Sequence, residues 1–184
     1  TTTMKQLFIL SFAFLAITGC RKVETDGQKE IVIVNGGANG TAAANTITLS
    51  GRITKDTTLY AKDNNYLSGL VYITKGVTLT VEAGAKVMGK YSGSDVSALI
   101  VCRGAKIIAK GTVDKPIIFT SASANPQSGD WGGIVLCGTA PINTSFTVNG
   151  TAVQGLFQVE GGVDNANGDG LAGAGDAAFP TVNP

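Results

Sequence analysis

Strand-period alternation, interrupted at recurring glycines, is the feature that most limits what this chain can fold into. From Ile31 onward no segment keeps apolar residues at i, i+3, i+4 and i+7 for two helical turns, whereas apolar–polar alternation recurs many times. Ile47-Thr48-Leu49 leads to Gly51, Val71-Tyr72-Ile73 to Gly76, Ala98-Leu99-Ile100-Val101 to Gly104, and Ile134-Val135-Leu136 to Gly138. These glycines stand 25, 28 and 34 positions apart. A drifting interval of that size is what a solenoid shows, because each turn keeps its strands and absorbs length differences in its loops.

The repeats also resemble one another internally. After Gly76, Val77, Leu79 and Val81 share one face before Glu82-Ala83-Gly84 and Ala85-Lys86-Val87-Met88-Gly89. After Gly104 come Ala105-Lys106-Ile107-Ile108-Ala109-Lys110-Gly111 and then Pro116-Ile117-Ile118-Phe119-Thr120-Ser121, with Ile117 and Phe119 on one face. Each unit thus holds about three short strands joined at glycine corners, which predicts an all-β chain wound as a right-handed parallel β-helix with a narrow core of stacked aliphatics. The rival, an antiparallel sandwich, needs hairpin turns every ~8–12 residues. Only Asp63-Asn64-Asn65 has that character, and no Asn-Gly or Asp-Gly pair separates two strands between 70 and 140.

Composition agrees and removes several function classes. Charged residues are 15% of the chain and glycine contributes 25 of 184 residues, as expected of tight corners around an apolar bore. With 14 Lys+Arg against 13 Asp+Glu, the net charge of +1 provides no basic field for nucleic acid. Histidine is absent, which excludes Ser-His-Asp and Cys-His catalysis and His-ligated zinc within this stretch.

The N-terminus reads as an address. Lys5 precedes the apolar run Leu7 to Ile17, too short to span a bilayer, and Ile17-Thr18-Gly19-Cys20 follows with the small residues and cysteine of a lipobox. Residues 1–19 are therefore expected to be a lipoprotein signal peptide starting at Met4, with Cys20 acylated after cleavage. Residues 20–30, polar and aperiodic after the cysteine, suit a tether. The rungs are expected over 31–162, and 163–184 reads as a Gly/Asp/Asn-rich loop followed by the end of a truncated gene product.

Three phrases carry a family resemblance: LSGLVYITKGVTLTVEAGAKVMGK (67–90), ALIVCRGAKIIAKGTVDKPIIFTSA (98–122) and GDWGGIVLCGTAPIN (129–143). They resemble the N-terminal rungs of exported parallel β-helix lipoproteins found mainly in Bacteroidota, over about 46–162. The resemblance implies an outer-membrane-associated β-helix lipoprotein and no particular reaction. The acidic calcium cluster and arginine base of β-helix enzymes such as pectate lyases match no positions here, and fold kinship alone does not assign chemistry.

Candidate binding residues are few. Asp130 and Trp131 sit in a Gly-rich loop opening a rung, where an indole could stack on a sugar while the carboxylate accepts its hydroxyls; the alternative is that Trp131 folds over the end of a rung. Asn165, Asn167, Asp169, Gly170 and Asp176 approximate an N-x-N-x-D-G-x5-D calcium loop, although Asn opens it and the shorter Asp closes it. Its alternative is a plain Asx-Gly loop, and calcium is the one cofactor the pattern admits. Aligning Leu99 to Cys102 on Gly133 to Leu136 places Cys102 and Cys137 on opposite faces, so two free thiols are expected, Cys102 buried and Cys137 nearer the surface.

The residues predict a lipid-anchored β-helix, and the resemblance implies that it stands at the outer membrane or cell surface, with a structural, adhesive or polysaccharide-binding role and no catalysis in this segment. The alternative is the N-terminal part of a β-helix polysaccharide lyase or hydrolase whose catalytic rungs lie beyond Pro184. The expected partners are the membrane, through the anchor, and a polysaccharide or another cell-surface component, with no nucleic acid. Cys20→Ala should abolish incorporation of labelled fatty acid in cells; labelling that persists would remove the anchor from this reading.

Overall fold

The computed structural model describes residues 32–34, 44–92 and 95–180; the segments expected as signal peptide and tether, Cys20 included, and the last four residues lie outside them. The strands are β1 (Val32–Val34), β2 (Thr46–Ile53), β3 (Thr57–Leu59), β4 (Asn64–Ile73), β5 (Thr78–Val81), β6 (Lys86–Gly89), β7 (Tyr91–Ser92) and β8 (Asp95–Val96). They continue as β9 (Ala98–Val101), β10 (Lys106–Ala109), β11 (Ile118–Ser121), β12 (Ile134–Leu136), β13 (Ser145–Val148), β14 (Thr151–Gln154), β15 (Leu156–Gln158) and β16 (Leu171–Gly173). No helix occurs among the described residues.

The parallel pairings wind these strands into rungs. The first half of β4 lies between β2 and β6, and β6 pairs with β11. The second half of β4 pairs with β2 and β9, and β9 pairs with β12. A separate sheet stacks β3, β5 and β10. Each complete rung therefore contributes three strand segments, and the chain is a parallel β-helix as its alternation predicts. A register shift at Ser50/Gly51 marks where β2 turns from the first segment to the second. Before the rungs, β1 pairs antiparallel with β2 and covers its outer edge.

Parallel, in-register pairing forces like positions into columns, and these columns are the core. Leu49 stacks on Leu67, Val71 on Leu99, Ile53 on Ile73 and Val101, and Leu79 on Ile107. Leu49, Leu67, Val71, Ile73, Leu79, Val87 and Leu99 are completely buried. Each such side chain contributes roughly 1.5–3 kcal/mol of transfer free energy. Asn65 breaks the apolar column, yet it is also fully buried. Its Nδ2 donates to the carbonyls of Tyr60, Asp63 and Lys86 at 3.0, 3.1 and 3.2 Å, so Asp63-Asn64-Asn65 is a hydrogen-bonded rung corner and not a hairpin.

Beyond β12 the winding changes. β13 and β14 form an antiparallel hairpin, with Asn149 at φ 48° and Gly150 at φ 79°. Two successive left-handed residues are what a tight I′ hairpin turn requires, and here they close β13 onto β14. β15 and β16 then form a second antiparallel pair. Among the described residues the last parallel pairing is that of β12 with β9, up to Leu136.

Replacing Asn65 with Ala should lower unfolding free energy by about 1–3 kcal/mol, since one buried and two part-buried carbonyls at this corner lose a donor. Urea unfolding of the variant against the parent measures this.

Candidate functional site

Strand alternation gives the rung sheet two outer stripes. Thr48, Tyr66, Met88 and Thr120 are in register on the first strand segment, and none of them is fully buried. Arg52, Tyr72, Ile100 and Val135 are in register on the second. This second stripe is largely covered, with Tyr72 and Ile100 buried and Arg52 and Val135 partly exposed. Tyr72, Ala98, Ile100, Cys102 and Cys137 join Val163 in a second apolar cluster, with Val159 and Ala172 packed against it. The chain from Leu156 to Phe179 returns across the rungs as a strap and turns their outer face into a second core.

Polar contacts pin the strap at two places. At the first, Arg52 pairs with Asp169: Nη2 donates to Oδ1 at 3.2 Å, and Nε lies 3.0 Å from Oδ2 as an ion-pair contact. Asn165 Nδ2 also donates to Asp169 Oδ2, at 2.9 Å, and the Tyr72 hydroxyl donates to the Val163 carbonyl at 2.8 Å. At the second, Arg103 Nη2 donates to Asp176 Oδ2 at 2.7 Å and Nη1 to the Gly173 carbonyl at 3.3 Å. The Phe179 ring lies under the Arg103 guanidinium, 4.7 Å from its centre, with Lys75 Nζ 4.3 Å from the same ring.

Burial and charge set the protonation states of this face. The hydrogen bond from Arg103, reinforced by amide donors, holds the Asp176 carboxyl below its ordinary value. Burial pushes the Tyr72 hydroxyl up. It also pushes the Cys102 thiol up to about 12, with the Asp169 charge adding to the rise. Cys137 rises through burial as well, opposed by the positive charge of Arg103. Both thiols are therefore neutral near pH 7, and the two arginines each face a strap carboxylate.

The residues singled out by sequence are distributed as follows. Asn165, Asn167 and Asp169 share one turn, in which Asn165 Oδ1 accepts from the Asn167 amide at 2.9 Å. Asp176 lies apart from them on Arg103, so the four expected calcium ligands are not gathered around one point. No group of three or more His, Cys, Asp or Glu side chains is placed for a metal among the described residues. Trp131 packs against the main core beside Gly89, where an added Cβ would meet Trp131 Cβ at 2.9 Å. Asp130 Oδ2 accepts from the Gln127 amide at 2.9 Å and closes the turn before it.

The cysteine alignment is corrected by one residue. Leu99 pairs with Ile134 and Val101 with Leu136, so Cys102 and Cys137 follow in step and share the covered outer face. Both are free thiols and both are buried, Cys137 included. A one-residue slip exchanges the faces of a strand, and β9 is buried on both faces, so apolar alternation there has no phase from which to read register. Arg52, Tyr72 and Arg103 were not singled out by the sequence. The signal that points to them is the unbroken apolar run Ala98 to Cys102, which marks a strand covered on both sides.

A family model described as a pectate-lyase like beta helix domain matches residues 51–171, from within β2 through the later rungs and most of the strap. The chain belongs to this family. No curated protein and no solved structure matches it. In this β-helix protein the ion pair of Arg103 and Asp176 ties the strap to the domain.

Because the folded-state pKa of Asp176 is depressed, its stabilisation is complete above the ordinary carboxyl value of 3.8 and is lost as pH falls below it through the lowered value. Thermal melts between pH 7 and pH 2 should show this as a falling Tm. Asp176→Asn should cost on the order of 1–3 kcal/mol at pH 7 and flatten the acid limb of the profile.

Proposed function

We propose that this β-helix protein is a lipid-anchored component of the outer-membrane surface that serves as a structural and polysaccharide-binding module, with no catalysis in residues 44–180. The observation that carries the non-catalytic reading is the strap. It fills the outer face of the second strand segment, and its carboxylates Asp169 and Asp176 neutralise Arg52 and Arg103. A face whose cations are paired and whose thiols are protonated is built for packing. The anchor rests on Lys5, the apolar run to Ile17 and the box ending at Cys20.

Family membership supports the link to polysaccharide. Trp131 is turned toward Gly89 and the core, so the contact surface is assigned to the other outer stripe. Tyr66 lies there between Thr48 and Met88, with Lys90 Nζ 5.5 Å from its ring. An aromatic ring for a sugar face, hydroxyls and a nearby ammonium make a shallow carbohydrate surface. The family description also favours a second reading, a polysaccharide lyase.

Affinity electrophoresis through gels containing neutral or uronate-rich polysaccharides tests this. Retardation should occur with at least one polymer and weaken about tenfold in Kd, or ~1.4 kcal/mol, for Tyr66→Ala. Migration unaffected by every polymer would overturn the binding role. Appearance of unsaturated uronate products on incubation with the same polymers would replace the non-catalytic reading with the lyase.

A further inference from the structure

Cys102 and Cys137 are 35 residues apart in sequence and adjacent in space. Each follows the last paired residue of its strand, Val101 opposite Leu136, and the Cys137 amide donates to the Val101 carbonyl at 2.9 Å, so the parallel register continues to the cysteines. Neighbouring strands stand ~4.8 Å apart, inside the Cα separation of about 4.4–6.8 Å that a disulfide spans. The two side chains point to the same face and belong to one buried cluster. Both sulfurs also meet the same strap residue: Cys102 Sγ lies 3.7 Å from Asp169 Oδ1 and Cys137 Sγ lies 3.9 Å from the Asp169 carbonyl.

We propose that Cys102 and Cys137 form a disulfide site that staples β9 to β12 beneath the strap, closed by exchange with a small-molecule disulfide. The Cys137 thiolate attacks one sulfur of the donor, giving a mixed disulfide on Cys137 and releasing one donor thiolate. The Cys102 thiolate then attacks the Cys137 sulfur of that mixed disulfide, forming the Cys102–Cys137 bond and expelling the second donor thiolate. Two protein thiols are oxidised, one donor disulfide is reduced to two thiols, and the two protein protons pass to the departing thiolates. Burial and the Asp169 charge raise both thiols, but at Cys137 the positive charge of Arg103 opposes the rise, so the first attack is assigned to Cys137.

The strap controls access. In the closed form Asp169 covers both sulfurs, held by Arg52 and Asn165, so a donor reaches Cys137 only when this contact opens. Cys102 lies directly beside it for the second step. The closed disulfide then ties together the two strands on which the strap rests, without requiring the strap to stay open.

The full-length protein is incubated with oxidised glutathione while far-UV circular dichroism confirms that it stays folded, then alkylated in denaturant and digested without reduction for mass spectrometry. The expected product is a peptide pair joined Cys102 to Cys137 and lighter by two hydrogens, with a Tm raised by roughly 5 °C that reverts on adding dithiothreitol. Asp169→Ala should speed formation of the same cross-link at least several-fold. Full alkylation of Cys102 and Cys137 in the oxidant-treated protein, stable glutathione adducts on them, or a cross-link from Cys20 to either would each overturn the proposal. An unchanged rate in Asp169→Ala, with the cross-link formed, would overturn the control assigned to the strap.

Discussion

In-register pairing of short parallel strands is the constraint on which everything else in this molecule rests. It places Leu49 over Leu67, and Ile53 over Ile73 and Val101, so that one narrow apolar bore is built from residues 18 to 28 positions apart. A rung cannot bury its own inward face; only the next rung does so. The inward residues of the last described rung illustrate this, since Leu136 stays 65% exposed while Val101, its partner one rung earlier, is 5% exposed. The same pairing carries the chemistry of the outer surface, because whatever projects outward also stacks in columns.

One of those outer columns becomes interior. Arg52, Tyr72, Ile100 and Val135 would be a solvent-facing stripe on an isolated solenoid, but the strap buries Tyr72 and Ile100 and covers part of Arg52 and Val135. Enclosure makes charge pairing necessary, because a buried guanidinium without an anion is costly. Arg103, 6% exposed, therefore takes Asp176, and Asp169, 5% exposed, takes Arg52. The glycine and carboxylate content of the tail thus has a structural use: Gly170 and Gly173 let stretches of the strap pass closer to Asp164 and Gly155 than a Cβ would allow, and carboxylates neutralise the arginines beneath.

Much of the solenoid was legible beforehand because its signal is local. Val77, Leu79 and Val81 share a face whatever lies around them, and the corner glycines punctuate the winding at intervals that a reader can measure. The strap was not legible for a related reason. Its contacts join residues as distant as Arg52 and Asp169, 117 positions apart, through a return of the chain that leaves no periodic mark. Asn165, Asn167 and Asp169 do sit in one turn as their spacing suggests, yet Asp176 points to a different partner, because the turn between them is set by docking on the rungs.

What the residues determine by themselves is the architecture and its chemical limits. Alternation with period two, glycine corners and the absence of histidine define an all-β solenoid with an aliphatic bore and no imidazole chemistry. The tertiary structure alone decided which outer face is covered, which carboxylate meets which arginine, and that Cys102 and Cys137 stand side by side. The reason is physical: alternation encodes which side of a strand is apolar, but in β9, apolar on both sides, the pattern has no phase. Register there is settled by backbone hydrogen bonds to the neighbouring rung and by the segment that packs over it.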